Sequence, residues 1–265
     1  MKTKIKCSMG KGVMEKEACL ACALAGSNTC GLDFSLLRAL YDSHEDRDGE
    51  IHVTDLTSCP RKVYLQKTAP EPEMPHKMLS LMKGNAVHGF LESHNGVPDS
   101  LSETELEFGG VKGRLDLAYK TPAGKWRLVD YKTAKEIYPE FLPYGEHETQ
   151  VNIYAYMLEK SGGPIVDEIF IQYIGMRGPS ECKKCRQPYE WTADGYQCLT
   201  CGRISEKVHL GAMLVPVRKF PAKEMETVFN HRRDVMKKAL EEKQLPAGEP
   251  GWLCKYCPFI CDLKE

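Results

Sequence analysis

No stretch of this sequence approaches the ~20 consecutive apolar residues that a helix needs to cross a bilayer, so a membrane protein is not expected. Charge of one sign is missing too. The net charge is −1, which excludes a protein that grips nucleic acid by bulk positive charge and leaves any such contact to local patches. There is no internal repeat and no low-complexity tract. No Gly-x-x-x-x-Gly-Lys-Ser/Thr segment occurs, so the chain carries no helicase motor of its own. A signal-peptide reading of Ala18 to Ala25 fails as well: Glu15 and Glu17 precede the run, and Cys19 and Cys22 interrupt it. The expected location is cytoplasmic.

What is present is an ordinary globular composition, 42% hydrophobic and 28% charged over 265 residues, enough for one sizeable core with small modules attached. The unusual feature is twelve cysteines. Secreted disulfide frameworks belong mostly to shorter chains, and Cys-x-x-Cys spacings favour metal. The cysteines sort into three groups of four: Cys7, Cys19, Cys22 and Cys30; Cys182, Cys185, Cys198 and Cys201; and Cys59 with Cys254, Cys257 and Cys261. The second group is two Cys-x-x-Cys knuckles spaced to fold onto one tetrahedral Zn²⁺. Lys183, Lys184, Arg186, Tyr189, Trp191 and Tyr196 around it suit either nucleic-acid contact or the packing of a tiny core. The first group has a single Cys-x-x-Cys pair and uneven gaps; it is read as a second zinc site.

Hydrophobic periodicity predicts helices over Thr54–Gln66, Leu79–His94, Thr149–Lys160 and Ala222–Gln244, with a loop over Glu71–Pro75. Alternation predicts strands over Glu103–Phe108 and Arg114–Tyr119, forming a hairpin around Gly109, Gly110 and Gly113. Further strands are predicted over Arg127–Lys132, Glu168–Met176 and Lys207–Phe220. This order implies a mixed α/β core.

Within it, Asp116 closes Gly113-Arg114-Leu115-Asp116, and Asp130-Tyr131-Lys132 ends the next strand. A tight hairpin brings these carboxylates together, as a hard divalent cation requires, and period-two alternation points Asp130 and Lys132 to one face. Such a site fits phosphodiester hydrolysis, with Mg²⁺ or Mn²⁺ activating water and Lys132 neutralising charge. Asp-x-Lys alone is a common surface tripeptide; the ordered context gives it meaning. Gly-x-x-Asp, then Asp-x-Lys-Thr, then a helix with Gln150 and Tyr154 four residues apart resembles the RecB-like branch of the PD-(D/E)xK nuclease superfamily. The likeness runs roughly from Thr54 to Cys261.

That resemblance implies a restriction-endonuclease-like core, a mixed sheet flanked by helices, here with an inserted zinc ribbon and an N-terminal cysteine module. It implies His88, Asp116 and Asp130 as metal ligands with the Tyr131 carbonyl as a fourth, Lys132 as the catalytic lysine, and Gln150 and Tyr154 as supports that contact the DNA backbone. Cys59-Pro60-Arg61 before the core and Cys254-x2-Cys257-Pro258 after it are similar to the iron-sulfur exonucleases of the CRISPR-associated and AddB types. Four thiolates suit zinc or a cluster, and the resemblance implies [4Fe-4S] on Cys59, Cys254, Cys257 and Cys261. The gap Cys257-x3-Cys261 is tighter than that family's usual five residues. The expected division is a cysteine-rich module over 1–48 and a nuclease core over 49–265, with the ribbon at 178–206 and the cluster segment at 252–262. The expected function is a metal-dependent DNA exonuclease acting on single strands or ends in recombination, repair or CRISPR adaptation. DNA is then the main partner, and a recombination, helicase or integrase protein a further one. The alternative is a non-catalytic scaffold that binds nucleic acid or protein around structural metals; the intact set of acidic, lysine, glutamine and tyrosine residues favours the enzyme.

Overall fold

The computed structural model of the chain describes residues 4–26, 30–43, 49–94, 96–205, 208–259 and 261; of Trp252 and Leu253 it describes the backbone. In chain order the elements are β1 (Lys4–Lys6), β2 (Val13–Glu15), α1 (Lys16–Leu24), α2 (Phe34–Asp42), β3 (Ile51–His52), α3 (Val53–Leu56), α4 (Pro60–Thr68) and α5 (Pro75–Ser93). There follow β4 (Ser100–Phe108), β5 (Val111–Lys120), β6 (Trp126–Ala134), α6 (Gly145–Lys160), β7 (Glu168–Gly175), β8 (Glu190–Thr192), β9 (Gly195–Gln197), β10 (Ile204–Ser205), β11 (Ala212–Val217) and α7 (Ala222–Glu242). None of the described helices is long and apolar enough to cross a membrane.

The chain divides into two compact units, one of Met1–Glu50, Cys59–Phe90 and Val235–Glu265, the other of Ile51–Ser58 and Leu91–Asp234. In the first, β1 and β2 pair antiparallel around a turn in which the Cys7 amide donates to the Gly12 carbonyl at 2.8 Å. Asp33 caps α2 by accepting from the Leu36 amide at 2.9 Å. The helix then buries Leu37, Leu40 and Tyr41, spaced i, i+3, i+4, against Ile5, Leu32 and Met78. This small core was not visible in the cysteine spacing.

The expected helix over Thr54–Gln66 is two helices. Proline disfavours helical backbone in the residue before it, and Cys59 accordingly sits at φ −56°, ψ 123°, so α3 stops and Pro60 begins α4 at the position a proline tolerates best. Proline acts the same way at Pro75, which opens α5 four residues before the periodicity suggested.

In the second unit a six-stranded mixed sheet runs in the order β11-β7-β6-β5-β3, with β4 on the other edge of β5. The β4–β5 hairpin turns on Gly109 and Gly110, whose φ values of +60° and +80° are those a two-residue primed turn demands. Gly113 is not part of the turn. It lies inside β5, where a Cβ would stand 2.6 Å from Val53 Cγ2 and 2.7 Å from Tyr154 Cε1. The other edge of β5 is shared: β3 pairs with Val111 and Lys112, and β6 pairs from Leu117 to Lys120. Residues 113–116 fall in the fork between them.

β6 and β7 pair in parallel, and their connection contains α6, as a parallel crossover requires. Every residue of α6 from Gln150 to Leu158 is buried, so this helix is interior on all sides rather than amphipathic. Its most deeply buried amide is satisfied: Asn152 donates to the Glu148 and Arg218 carbonyls and accepts from the Phe220 amide.

Candidate active site and metal centres

The fork in the sheet makes the site. Where β5 and β6 part, the ladder is continued by a side chain: the Tyr131 amide donates to Asp116 Oδ2 at 2.6 Å, which ties the first acidic strand to the second. Asp130 and Lys132 share a face of β6, as alternation predicted, and Lys132 Nζ lies 2.8 Å from Asp130 Oδ2. Asp130 is 2% exposed, so its charge depends on that ammonium and on whatever cation joins it.

Glu103, which sequence reasoning passed over, stands directly across the hairpin from Asp116. The ladder pairs Ser102 with Leu117 and Thr104 with Leu115 and skips the pair between them. Glu103 has φ +45°, rare for a side-chain-bearing residue and costing about 1 kcal/mol or more. Its side chain is 7% exposed, it meets the Arg114 guanidinium at 2.8 Å, and a carboxylate oxygen lies within 4.8 Å of one on Asp116. Two carboxylates so placed, with Asp130 on the neighbouring strand, attract a cation, and oxygen donors suit Mg²⁺ or Mn²⁺.

Gln150 and Tyr154 project from α6, the amide donating to the phenol oxygen at 3.4 Å, and both are buried. Burial pushes the Tyr154 hydroxyl well above its ordinary range, so it stays a proton donor. This explains Gly113. Gly113→Ala is expected to destabilise the protein by about 1–3 kcal/mol by overpacking, and to weaken activity by displacing Tyr154; a thermal melt beside an activity assay checks both. His88 is half-buried on α5, whose residues up to Phe90 belong to the first unit while the carboxylates belong to the second.

The ribbon cysteines are brought together. Sγ atoms of Cys182 and Cys201 are 3.6 Å apart and those of Cys185 and Cys198 3.3 Å, close to the ~3.8 Å edges of a tetrahedron with zinc–sulfur bonds of about 2.3 Å. The two knuckles match residue for residue. Arg186 and Gly202, each following its second cysteine, have φ +62° and +70°, and each donates its amide to the carbonyl of the first cysteine at 2.8 Å. The amides of Lys184 and Cys185 bring the Cys182 thiol down to about 6, toward the thiolate a metal takes. Tyr189 and Tyr196 are buried in the ribbon, and Trp191, 38% exposed, packs edge-on against Tyr196 at 4.9 Å between ring centres.

The other two groups are looser; among the described residues neither draws three sulfurs within 4.8 Å of one another. Cys59 nevertheless accepts from the Glu249 amide at 3.4 Å, Arg61 reaches Cys261 Sγ at 3.4 Å and the Pro246 carbonyl at 3.2 Å, and the Gly251 amide donates to Cys254 Sγ at 3.3 Å. In the N-terminal group, burial raises the Cys19 thiol; it bonds to the Tyr41 hydroxyl and lies close enough to Cys30, Cys7 and Cys22 for their charges to raise it further.

Residues 97–261 match the profile of the PD-(D/E)XK nuclease superfamily, a span that takes in the hairpin, the fork, α6, the ribbon and the last cysteines. The chain belongs to the PD-(D/E)XK nuclease superfamily. Among superfamily relatives, the CRISPR-associated exonuclease Cas4 of Saccharolobus solfataricus is 28% identical over 146 residues, 51% of this chain and 71% of that one. The crystal structure of SSO0001 is 21% identical and superposes with a TM-score of 0.51 over 88% of this chain and 96% of that one, a likeness of fold. A phage related exonuclease from Haemophilus somnus 129PT gives 12% identity and a TM-score of 0.41 over 77% and 97%.

Proposed function

We propose that this nuclease is a divalent-metal-dependent DNA exonuclease whose centre is Asp116, Asp130 and Lys132. The observation that carries the reading is the convergence at the fork: Asp116 fastened to the Tyr131 amide, and Lys132 on Asp130 at 2.8 Å. Asp116, Asp130, the Tyr131 carbonyl and the His88 imidazole form the donor set for Mg²⁺ or Mn²⁺, and Glu103 adds a charge that favours either ion. Such an ion supplies Lewis-acid polarisation of a phosphoryl oxygen and lowers the pKa of bound water. Lys132 orients the attacking water and neutralises charge on the phosphate, while Gln150 and Tyr154 brace the strand that carries Asp116 and face the DNA backbone. The name of the Cas4 relative supports exonucleolytic action and a CRISPR-associated setting; the proposal extends this to CRISPR adaptation or DNA-end processing with a helicase or integrase partner.

The converging ribbon sulfurs are assigned to zinc and Cys7, Cys19, Cys22 and Cys30 in the 1–48 module to a second zinc; the thiolates of Cys59, Cys254, Cys257 and Cys261 suit either metal, and the resemblance to iron-sulfur exonucleases assigns them a [4Fe-4S] cluster. The deciding experiment is incubation with end-labelled single- and double-stranded DNA in Mg²⁺, Mn²⁺ or EDTA. Cleavage from an end is expected, stopped by EDTA and restored by either ion. Cutting that survives exhaustive removal of divalent ions overturns the reading.

A further inference from the structure

Beside the lysine lies a pair of side chains, one buried and one half-buried, that hydrolysis itself does not use. In the parallel ladder Tyr173 is the partner of Lys132, as Ile171 is of Asp130, so Tyr173 adjoins the lysine on the face that carries the site. Tyr173 is 1% exposed. Its hydroxyl meets two groups at the start of α6: the Tyr144 amide donates to it at 3.4 Å, and His147 Nδ1 lies 3.1 Å away. The His147 ring packs on both tyrosines, with centres 5.8 Å from Tyr173 and 5.5 Å from Tyr144. The amide occupies one lone pair of the phenol, and the buried phenol proton needs an acceptor. Nδ1 is that acceptor, which assigns His147 as the uncharged tautomer with its proton on Nε2. Burial first, and then the Lys132 ammonium, push His147 down to about 4. The other groups facing the pair are Asp130, Tyr144 and Glu146, whose charges act on Tyr173.

We propose that His147 is a positioning residue for the nuclease lysine: it accepts the hydrogen bond of the Tyr173 hydroxyl, holds the phenol in one orientation so that it does not compete for Lys132, and, carrying no charge itself, leaves that ammonium on Asp130. The inference rests on the nuclease reading for its effect on rate. Its logic is electrostatic. A phenol released beside an ammonium offers it a second acceptor, and a cationic imidazole would repel it from the carboxylate.

The test is a variant series with kcat and KM determined separately. His147→Leu is expected to lower kcat by about 10- to 100-fold with KM unchanged, the range seen when a partner of an active-site group is removed. His147→Gln keeps an uncharged acceptor and should recover most of the rate. Adding Tyr173→Phe to His147→Leu should also recover it, since the stray phenol is gone. Parallel losses in kcat, KM and melting temperature, with no rescue by glutamine or by phenylalanine, mean a merely structural role and overturn the inference. Nitrogen-15 NMR of the wild type decides it without cleavage. Nε2 protonated and Nδ1 bare at neutral pH, with a Lys132 Nζ resonance that moves in His147→Leu and stays near its wild-type position in His147→Gln, supports it; an imidazolium, or an Nζ unmoved in His147→Leu, overturns it. Should His147→Leu fail to fold, the wild-type tautomer and His147→Gln carry the test: a charged ring in the wild type, or a His147→Gln enzyme that folds but loses the rate, overturns the inference. If the wild type cuts no DNA, the nuclease reading falls while the NMR result still stands or falls alone.

Discussion

Asp130→Asn and Lys132→Ala are each expected to reduce DNA cleavage by about 10²- to 10⁴-fold, the range of a lost proton-handling or charge-stabilising group, while DNA binding persists. The two substitutions should differ in stability. Asp130 is 2% exposed and Lys132 Nζ sits on it at 2.8 Å, so Lys132→Ala strands a buried carboxylate and costs about 3–5 kcal/mol. Asp130→Asn removes the buried charge and releases a lysine that is 19% exposed and has water within reach, so its cost is smaller. Of the two, only Asp130→Asn is therefore expected to leave folding largely in place. The variant Asp130→Asn/Lys132→Met separates the effects, being folded without either charge and inactive. Cleavage at the wild-type rate by both single variants ends the assignment of this centre.

The site was largely legible because its logic is local. Period-two alternation puts Asp130 and Lys132 on one face whatever the rest of the chain does, and the Gly109-Gly110 turn fixes the register that places Asp116. The same register contains Glu103. A two-residue turn pairs Phe108 with Val111, and counting five residues back from each strand end lands Glu103 opposite Asp116, a step that identifies a buried acid from sequence alone. Its positive φ could not have been foreseen, since no turn residue marks it.

What stayed hidden depends on tertiary contact. Gly113 reads as part of a turn until Tyr154 and Val53 are seen to fill the space of its missing side chain. His147 reads as a polar residue at the start of a helix, and only the register of β7 against β6 brings Tyr173, and with it the imidazole, to the lysine. Prolines were underweighted at Pro60 and Pro75, where each starts a helix rather than lying within or before one. The strands β1, β2 and β3 are two or three residues long, too short for a periodic signal.

Purified without oxygen, the protein is expected to contain about four irons and four acid-labile sulfides per chain, with zinc in the ribbon and in the N-terminal group. The ribbon sulfurs already stand at the spacing of a zinc tetrahedron, so zinc there is the internal reference for the measurement. The Cys59 group differs in kind. Its sulfurs are spread over a strand of chain that returns past the start of α4, and hydrogen bonds from the Glu249 amide to Cys59, from the Gly251 amide to Cys254 and from Arg61 to Cys261 reach three of the four thiols. Amide and guanidinium donors aimed at sulfur stabilise thiolate charge, which either metal uses, and the wider spacing suits a larger inorganic core. Apolar cover is partial: Phe259 is 9% exposed, but Tyr256 is 68% exposed with the Lys255 ammonium 4.9 Å over its ring. Oxygen is therefore expected to bleach the cluster. Cys254→Ala should lose the iron, loosen the return of the chain to Arg61 and Cys59, and lower cleavage indirectly, with the ribbon zinc retained. Three zincs and no sulfide would refute iron and leave a metal tie between Cys59 and the C-terminal cysteines, in which case Cys254→Ala still loosens the C-terminal segment. A Cys254→Ala protein with unchanged metal content, melting temperature and activity would refute that tie itself.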